Sequence, residues 1–84
     1  MANNNAIGNK LPLPMTSVEE LGRTLQAVRK EQGLTQLDVA GLAGLGNRFV
    51  IDLERGKETI QMQKVLEVIA LLGLELHLRR KGEP

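Results

Sequence analysis

Asn47, Arg48, Phe49 and Asp52 stand within six positions of one another, on a stretch able to form one short helix. An arginine guanidinium grips guanine O6 and N7 together, and an asparagine amide pairs with the edge of adenine. The chemistry on offer is recognition of base edges. Each residue also has a plainer use. Arg48 can hold a phosphate instead of a base. Asn47 can cap a helix N-terminus. Phe49, the single aromatic residue, can press on a thymine methyl or pack in a core. Asp52 can accept from cytosine N4, or orient Arg48 one helical turn away. Arg55 and Lys57 follow, suited equally to phosphate contact and to a solvated loop. Thr35 and Gln36 open an earlier helix, whose unsatisfied amides favour an anion such as a phosphate.

The parts for catalysis are missing. Cysteine, tyrosine and tryptophan are absent, and His77 is the single histidine. Disulfides, thiolate sites and a zinc centre are excluded or unsupported, so no metal and no cofactor is expected. The carboxylates fall at helix caps and on solvated faces. Gly41-x-x-Gly44-x-Gly46 has the wrong order for a phosphate loop, and no strand precedes it. The reading is of a protein that is not an enzyme.

Composition bounds the rest. A chain of 84 residues suits one domain with a marginal core. Its net charge is +1, from 11 basic and 10 acidic residues. A strong basic excess would mark a nucleic-acid binder by itself; here charge placement has to carry that argument. Residues 1–15 are polar and Asn-rich with no apolar leader core. The stretch 65–74 is too short to span a bilayer and contains Glu67. No basic amphipathic face suggests membrane binding. A cytoplasmic location is expected.

The elements that position these residues follow from spacing. Residues 1–15 read as a flexible arm, because three Asn, Gly8, Pro12 and Pro14 disfavour regular structure. Ser17-x-x-Glu20 predicts a capping box at the start of a first helix. Val18, Leu21, Leu25 and Val28 give it an apolar stripe, and Gly33 ends it. Thr35 predicts an N-cap that accepts from the Asp38 amide, with Gly44 breaking that second helix. A third helix runs from Gly46 or Asn47 to Arg55, with Val50 and Leu53 inward. A fourth covers about 61–72, with Met62, Val65, Leu66, Ile69 and Leu72 as its stripe. Residues 74–79 alternate apolar and polar, the pattern of a half-buried strand. The expected units are an arm (1–15), a helical domain (16–73), a strand (74–80) and a tail (81–84).

Within 36–55, Ala40 is small where two helices cross, and Gly44 tolerates positive φ in the turn. Val39, Ala43, Leu45, Val50 and Leu53 face the crossing from both sides. That combination specifies a helix-turn-helix. The stretch 29–57, RKEQGLTQLDVAGLAGLGNRFVIDLERGK, resembles the Cro/C1-type (XRE) helix-turn-helix family. Residues 17–79 further resemble the HipB-like (Y4mF-type) antitoxins of type II toxin–antitoxin systems, mainly through ERGKETIQMQKVLEVIALLGLELHLR. Ile51 departs from the small polar residue common at its position in the family, and Gly46 from the usual Ser or Thr cap.

The resemblance implies an all-α, lambda repressor-like bundle of four to five helices; the pattern over 74–79 favours four plus a C-terminal strand. It implies a pair between Arg29 and Glu54 that locks helix 1 to the recognition helix. It also implies a repressor of transcription acting in bacteria on double-stranded DNA. A HipA-like kinase toxin is the implied second partner, and a stand-alone phage-type or bacterial regulator is the alternative. A lone strand leaves backbone groups unpaired, so a homodimer is expected to pair it across a two-fold axis; the arm at 10–15 is the other possible partner. Val68, Leu71 and Leu72 on helix 4, with Leu74, Leu76 and Leu78 on the strand, are the expected interface. Two modules about 34 Å apart would read an inverted repeat.

Overall fold

The computed structural model describes residues 7–82. Among them are four α-helices, α1 (Val18–Glu31), α2 (Gln36–Ala43), α3 (Asn47–Glu54) and α4 (Met62–Leu71), preceded by a 3-10 turn at Ile7–Lys10.

Local chemistry sets the helix ends. Ser17 Oγ accepts from the Glu20 N–H at 3.0 Å and starts α1. The return bond of the expected capping box is not made. The Glu20 carboxylate instead takes the Thr16 hydroxyl at 2.8 Å and the Thr16 N–H at 3.3 Å, two donors one residue further out. Those bonds, the hydroxyl first, hold its carboxyl below the ordinary value. The complete box forms on α2: Thr35 Oγ1 accepts from the Asp38 N–H at 3.0 Å, and Asp38 Oδ2 from the Thr35 N–H at 2.8 Å. Gly44 then turns the chain with φ 68° and ψ 32°, the left-handed region that a Cβ disfavours. Gly46 caps α3 through its backbone alone.

The core joins all four helices. Leu25 and Val28 come from α1, Val39 and Ala40 from α2, and Val50 and Leu53 from α3. Helix α4 adds Val65, Val68 and Ile69, and Leu72 follows at its C-cap. Each large aliphatic side chain buried this way contributes about 1.5–3 kcal/mol. The stripe of α4 differs from the expected one. Val68 replaces Met62 and Leu66, which stand 49% and 37% exposed. Residues 65, 68, 69 and 72 make as good a helical stripe as the one expected. On a helix this apolar, only the shape of the α1–α3 surface chooses between them.

Gly22 settles how α1 meets α3. A Cβ there would lie 2.3 Å from the Leu53 carbonyl oxygen and 2.9 Å from that of Glu54. Those atoms are backbone and cannot step aside, so the approach of α1 to the end of α3 requires glycine.

The two chain ends carry little regular structure among the described residues. Residues 1–6 of the expected arm lie outside the described residues. Beyond them, the turn at Ile7–Lys10 packs on α1, with Ile7 against the core edge. The Thr24 hydroxyl donates to Met15 Sδ at 4.0 Å. Ile7 and Met15 thus touch the helical domain. Residues 74–80 form neither helix nor strand in the single chain. Leu74 packs on the core and its N–H donates to the Ile69 oxygen at 3.0 Å. A strand needs a neighbour for its backbone groups, and among the described residues neither 10–15 nor any other segment supplies one.

Candidate nucleic-acid interface

Behind α3 lies a buried network centred on Glu54. Arg29 Nε donates to Glu54 Oε2 at 2.6 Å, and Arg29 Nη2 to Oε1 at 3.0 Å. The two side chains are 8% and 4% exposed. Gln26 and Gln36 each donate to the same Oε1, at 3.1 and 3.0 Å. Arg29 Nη1 donates to the Leu34 carbonyl at 2.7 Å. One carboxylate therefore ties α1, the start of α2 and the end of α3 together. Burial pushes the Glu54 carboxyl up, but the Arg29 and Gln36 donors outweigh it and hold the group below its ordinary value.

The Gln36 side-chain amide turns inward to this network, because a buried carboxylate attracts every donor in reach, so a phosphate at the start of α2 has only the backbone amides there to meet. Thr35 stays exposed, with its hydroxyl accepting from the Asp38 N–H. Asp38 itself occupies the end of α2. The Thr35 backbone N–H, and then its side chain, hold the Asp38 carboxyl below the ordinary value. The positive end of the α2 dipole thus already carries an acid, which weakens the anion site expected there.

The outer face of α3 is open. The Arg48 side chain is 75% exposed. Its Nε lies 3.1 Å from Asp52 Oδ1, while Lys57 Nζ lies 3.6 Å from Asp52 Oδ2. Asp52 is only 17% exposed, seated between two cations. Asn47 is half-buried, and its Oδ1 has no hydrogen-bond partner within the protein. Phe49 is half-buried against the core edge, and Lys64 Nζ stands 5.8 Å from its ring centroid. Of the two uses read for Phe49, packing is the one it performs in the free chain. Arg55 stands exposed at the C-cap of α3.

Contacts therefore gather Arg48, Phe49, Asp52 and Lys57 beside α3. Gln36 belongs to the supporting frame instead, and Thr35 to its own helix cap. Sequence reasoning missed Lys64, which lines a shallow groove with Phe49, Asp52, Lys57 and Thr59. Its signal was present: Lys64 is the single cation of α4.

The expected partner surface needs correcting. Val68 and Leu72 are 2% and 4% exposed and belong to this chain's own core, which leaves them almost nothing to offer a second copy. Leu71 and Leu74 are half-buried, whereas Leu76 and Leu78 are 46% and 96% exposed.

Two short helices cross at Ala40, turn at Gly44 and present the second with its polar side outward. The helix-turn-helix domain family matches this chain over residues 20–81. The chain belongs to that family. An uncharacterized HTH-type transcriptional regulator of Sinorhizobium fredii (strain NBRC 101917 / NGR234), y4mF, is 47% identical over 64 residues. That match spans 76% of this chain and 84% of the relative. The fold is shared with solved structures described as the HipA-HipB-O2-O3 complex and the HipB-O4 20mer complex. Each superposes with a TM-score of 0.77 over 82% of this chain and 97% of the other, at 19% identity. Within this helix-turn-helix regulator of transcription, α2 and α3 are the motif's two helices. The exposed side of α3 carries Arg48, with Asp52 and Lys57 beside it.

Proposed function

We propose that the protein is a sequence-specific repressor that binds an inverted-repeat operator as a symmetric homodimer, and that it serves as the antitoxin of a HipBA-like operon. The observation that carries the DNA half is the open face of α3, held rigid from behind by the Glu54 network. Arg48 reads bases there, with Asn47 as its neighbour. Lys57 and Arg55 hold phosphates, which fix register without carrying sequence. One module makes few phosphate contacts, so useful affinity at physiological salt calls for two. The protomer measures 37 × 36 × 18 Å, about one duplex turn across, which suits half-sites roughly 34 Å apart.

Residues 74–80 supply the symmetric contact. Beyond Leu74, whose N–H is taken by the Ile69 oxygen, their backbone can pair with the same segment of a second copy. Such pairing would also cover Leu76 and Leu78. Mobility-shift titration against duplexes selected from a random pool tests the reading. The expected result is one dimer per palindrome, with Arg48→Ala abolishing sequence preference. Retained preference in that variant would remove Arg48 from the reading head.

The antitoxin half rests on the fold shared with the HipA-HipB-O2-O3 complex. A kinase-like protein encoded beside this one, recovered in complex with it, supports that role. The stand-alone regulator is favoured by the description of y4mF, which names only transcriptional regulation. The absence of any co-purifying toxin decides for it. In either case the protein acts in the bacterial cytoplasm on nucleoid DNA.

A further inference from the structure

The side of a recognition helix that meets DNA faces a dense array of negative charge, so an acid there is costly. Asp52 is such an acid, placed one turn beyond Arg48 and largely enclosed. It contacts two of the cations that the proposed function assigns to DNA. One oxygen lies 3.1 Å from Arg48 Nε, and the other 3.6 Å from Lys57 Nζ. A third cation, Lys64, lines the same groove. Resting on that DNA-binding reading, we propose that Asp52 is a specificity-determining positioning residue: it clamps Arg48 and Lys57 and so weakens binding to sequences that Arg48 cannot read.

Two physical effects support this. The first is geometric. Asp52 lies beside the Nε of Arg48, so the guanidinium, 75% exposed as a side chain, can still turn two parallel donors to guanine O6 and N7. A guanidinium braced on one edge loses less rotamer freedom when it grips a base. The brace helps only where a guanine is present. The second effect is electrostatic. Non-specific binding relies on cations meeting phosphates wherever they fall. Asp52 neutralises part of that field and holds Lys57 back from the backbone. The carboxylate therefore costs affinity on every duplex and returns it only on the correct one.

The test compares wild type with Asp52→Asn, which keeps shape and loses charge, and with Asp52→Glu, which keeps charge. Circular dichroism and thermal melting first establish that all three fold alike, as expected for a side chain whose two partners lie on the surface. Fluorescence anisotropy then measures binding to a random-sequence duplex and to duplexes selected on wild type, across a KCl series. A unit charge about 7 Å from a phosphate in water is worth roughly threefold in binding per protomer, hence roughly tenfold for a dimer. Asp52→Asn should tighten random-sequence binding by about that factor. Its salt slope should steepen by about two, one freed cation per protomer. Selected duplexes should gain clearly less, so the selectivity ratio falls. Asp52→Glu should stay nearer wild type.

Equal gains on both DNAs would overturn the positioning role, since charge alone would then explain them. Unchanged or weaker random-sequence binding by Asp52→Asn would overturn the clamp altogether. Wild type that binds neither duplex would overturn the DNA-binding reading, and this inference with it. Wild type that discriminates normally while Asp52→Asn discriminates just as well would overturn the inference alone.

Discussion

Removing Glu54 should cost this protein a large share of its stability. Glu54→Ala deletes the acceptor for Arg29 Nε and Nη2 and for the Gln26 and Gln36 amides. Arg29 is 7% exposed and would remain behind as a buried cation without a counterion. Breaking a buried pair from one side costs about 3–5 kcal/mol. A chain of 84 residues has roughly 4–12 kcal/mol of stability in total. Urea unfolding at fixed protein concentration, needed because any dimer makes the midpoint concentration-dependent, should therefore show a much lower midpoint. Replacing both partners together, Arg29→Met with Glu54→Leu, should recover most of the loss, because no charge is then stranded. A loss below about 1 kcal/mol for Glu54→Ala would refute the reasoning. It would mean that the pair is solvated or that Arg29 finds another acceptor.

The same carboxylate predicts pH dependence: its folded value lies below the ordinary 4.5, so its contribution is full above that value and fades as pH falls through the folded one. Wild type and Glu54→Gln should converge in stability on acidification. Gly22→Ala should destabilise by about 2–3 kcal/mol, since the new Cβ meets backbone oxygens. Gly44→Ala, with open space around its Cβ position, should lose only about 1–2 kcal/mol from its positive φ; thermal unfolding of the two variants separates contact from conformation, and equal losses would contradict it. Leu78→Glu should leave helical content intact and shift the protein towards monomer in sedimentation, with weaker DNA binding. An unchanged mass would rule out the 74–80 segment as the dimer contact.

Much of this was legible in the residues. Helix starts and stops depend on neighbours three or four positions away, so Ser17, Thr35, Gly44 and the glycines after α1, α3 and α4 mark them without tertiary information. The helix-turn-helix was equally clear, because Val39, Ala40, Gly44, Val50 and Leu53 each satisfy a local demand of one crossing. Rotation of α4 was not legible. Its apolar residues surround the helix, and only the surface built by α1, α2 and α3 puts Val68 inside and Met62 outside. Gly22 carried no local signal either, since its role is the closeness of two carbonyls 31 and 32 positions later. The inward turn of Gln36 and the enclosure of Asp52 between Arg48 and Lys57 are likewise three-dimensional facts. Local chemistry determined where the helices lie along the chain and which of them could read DNA. Burial and charge pairing, which depend on residues distant in sequence, decided which polar side chains brace that surface and which remain free to use it.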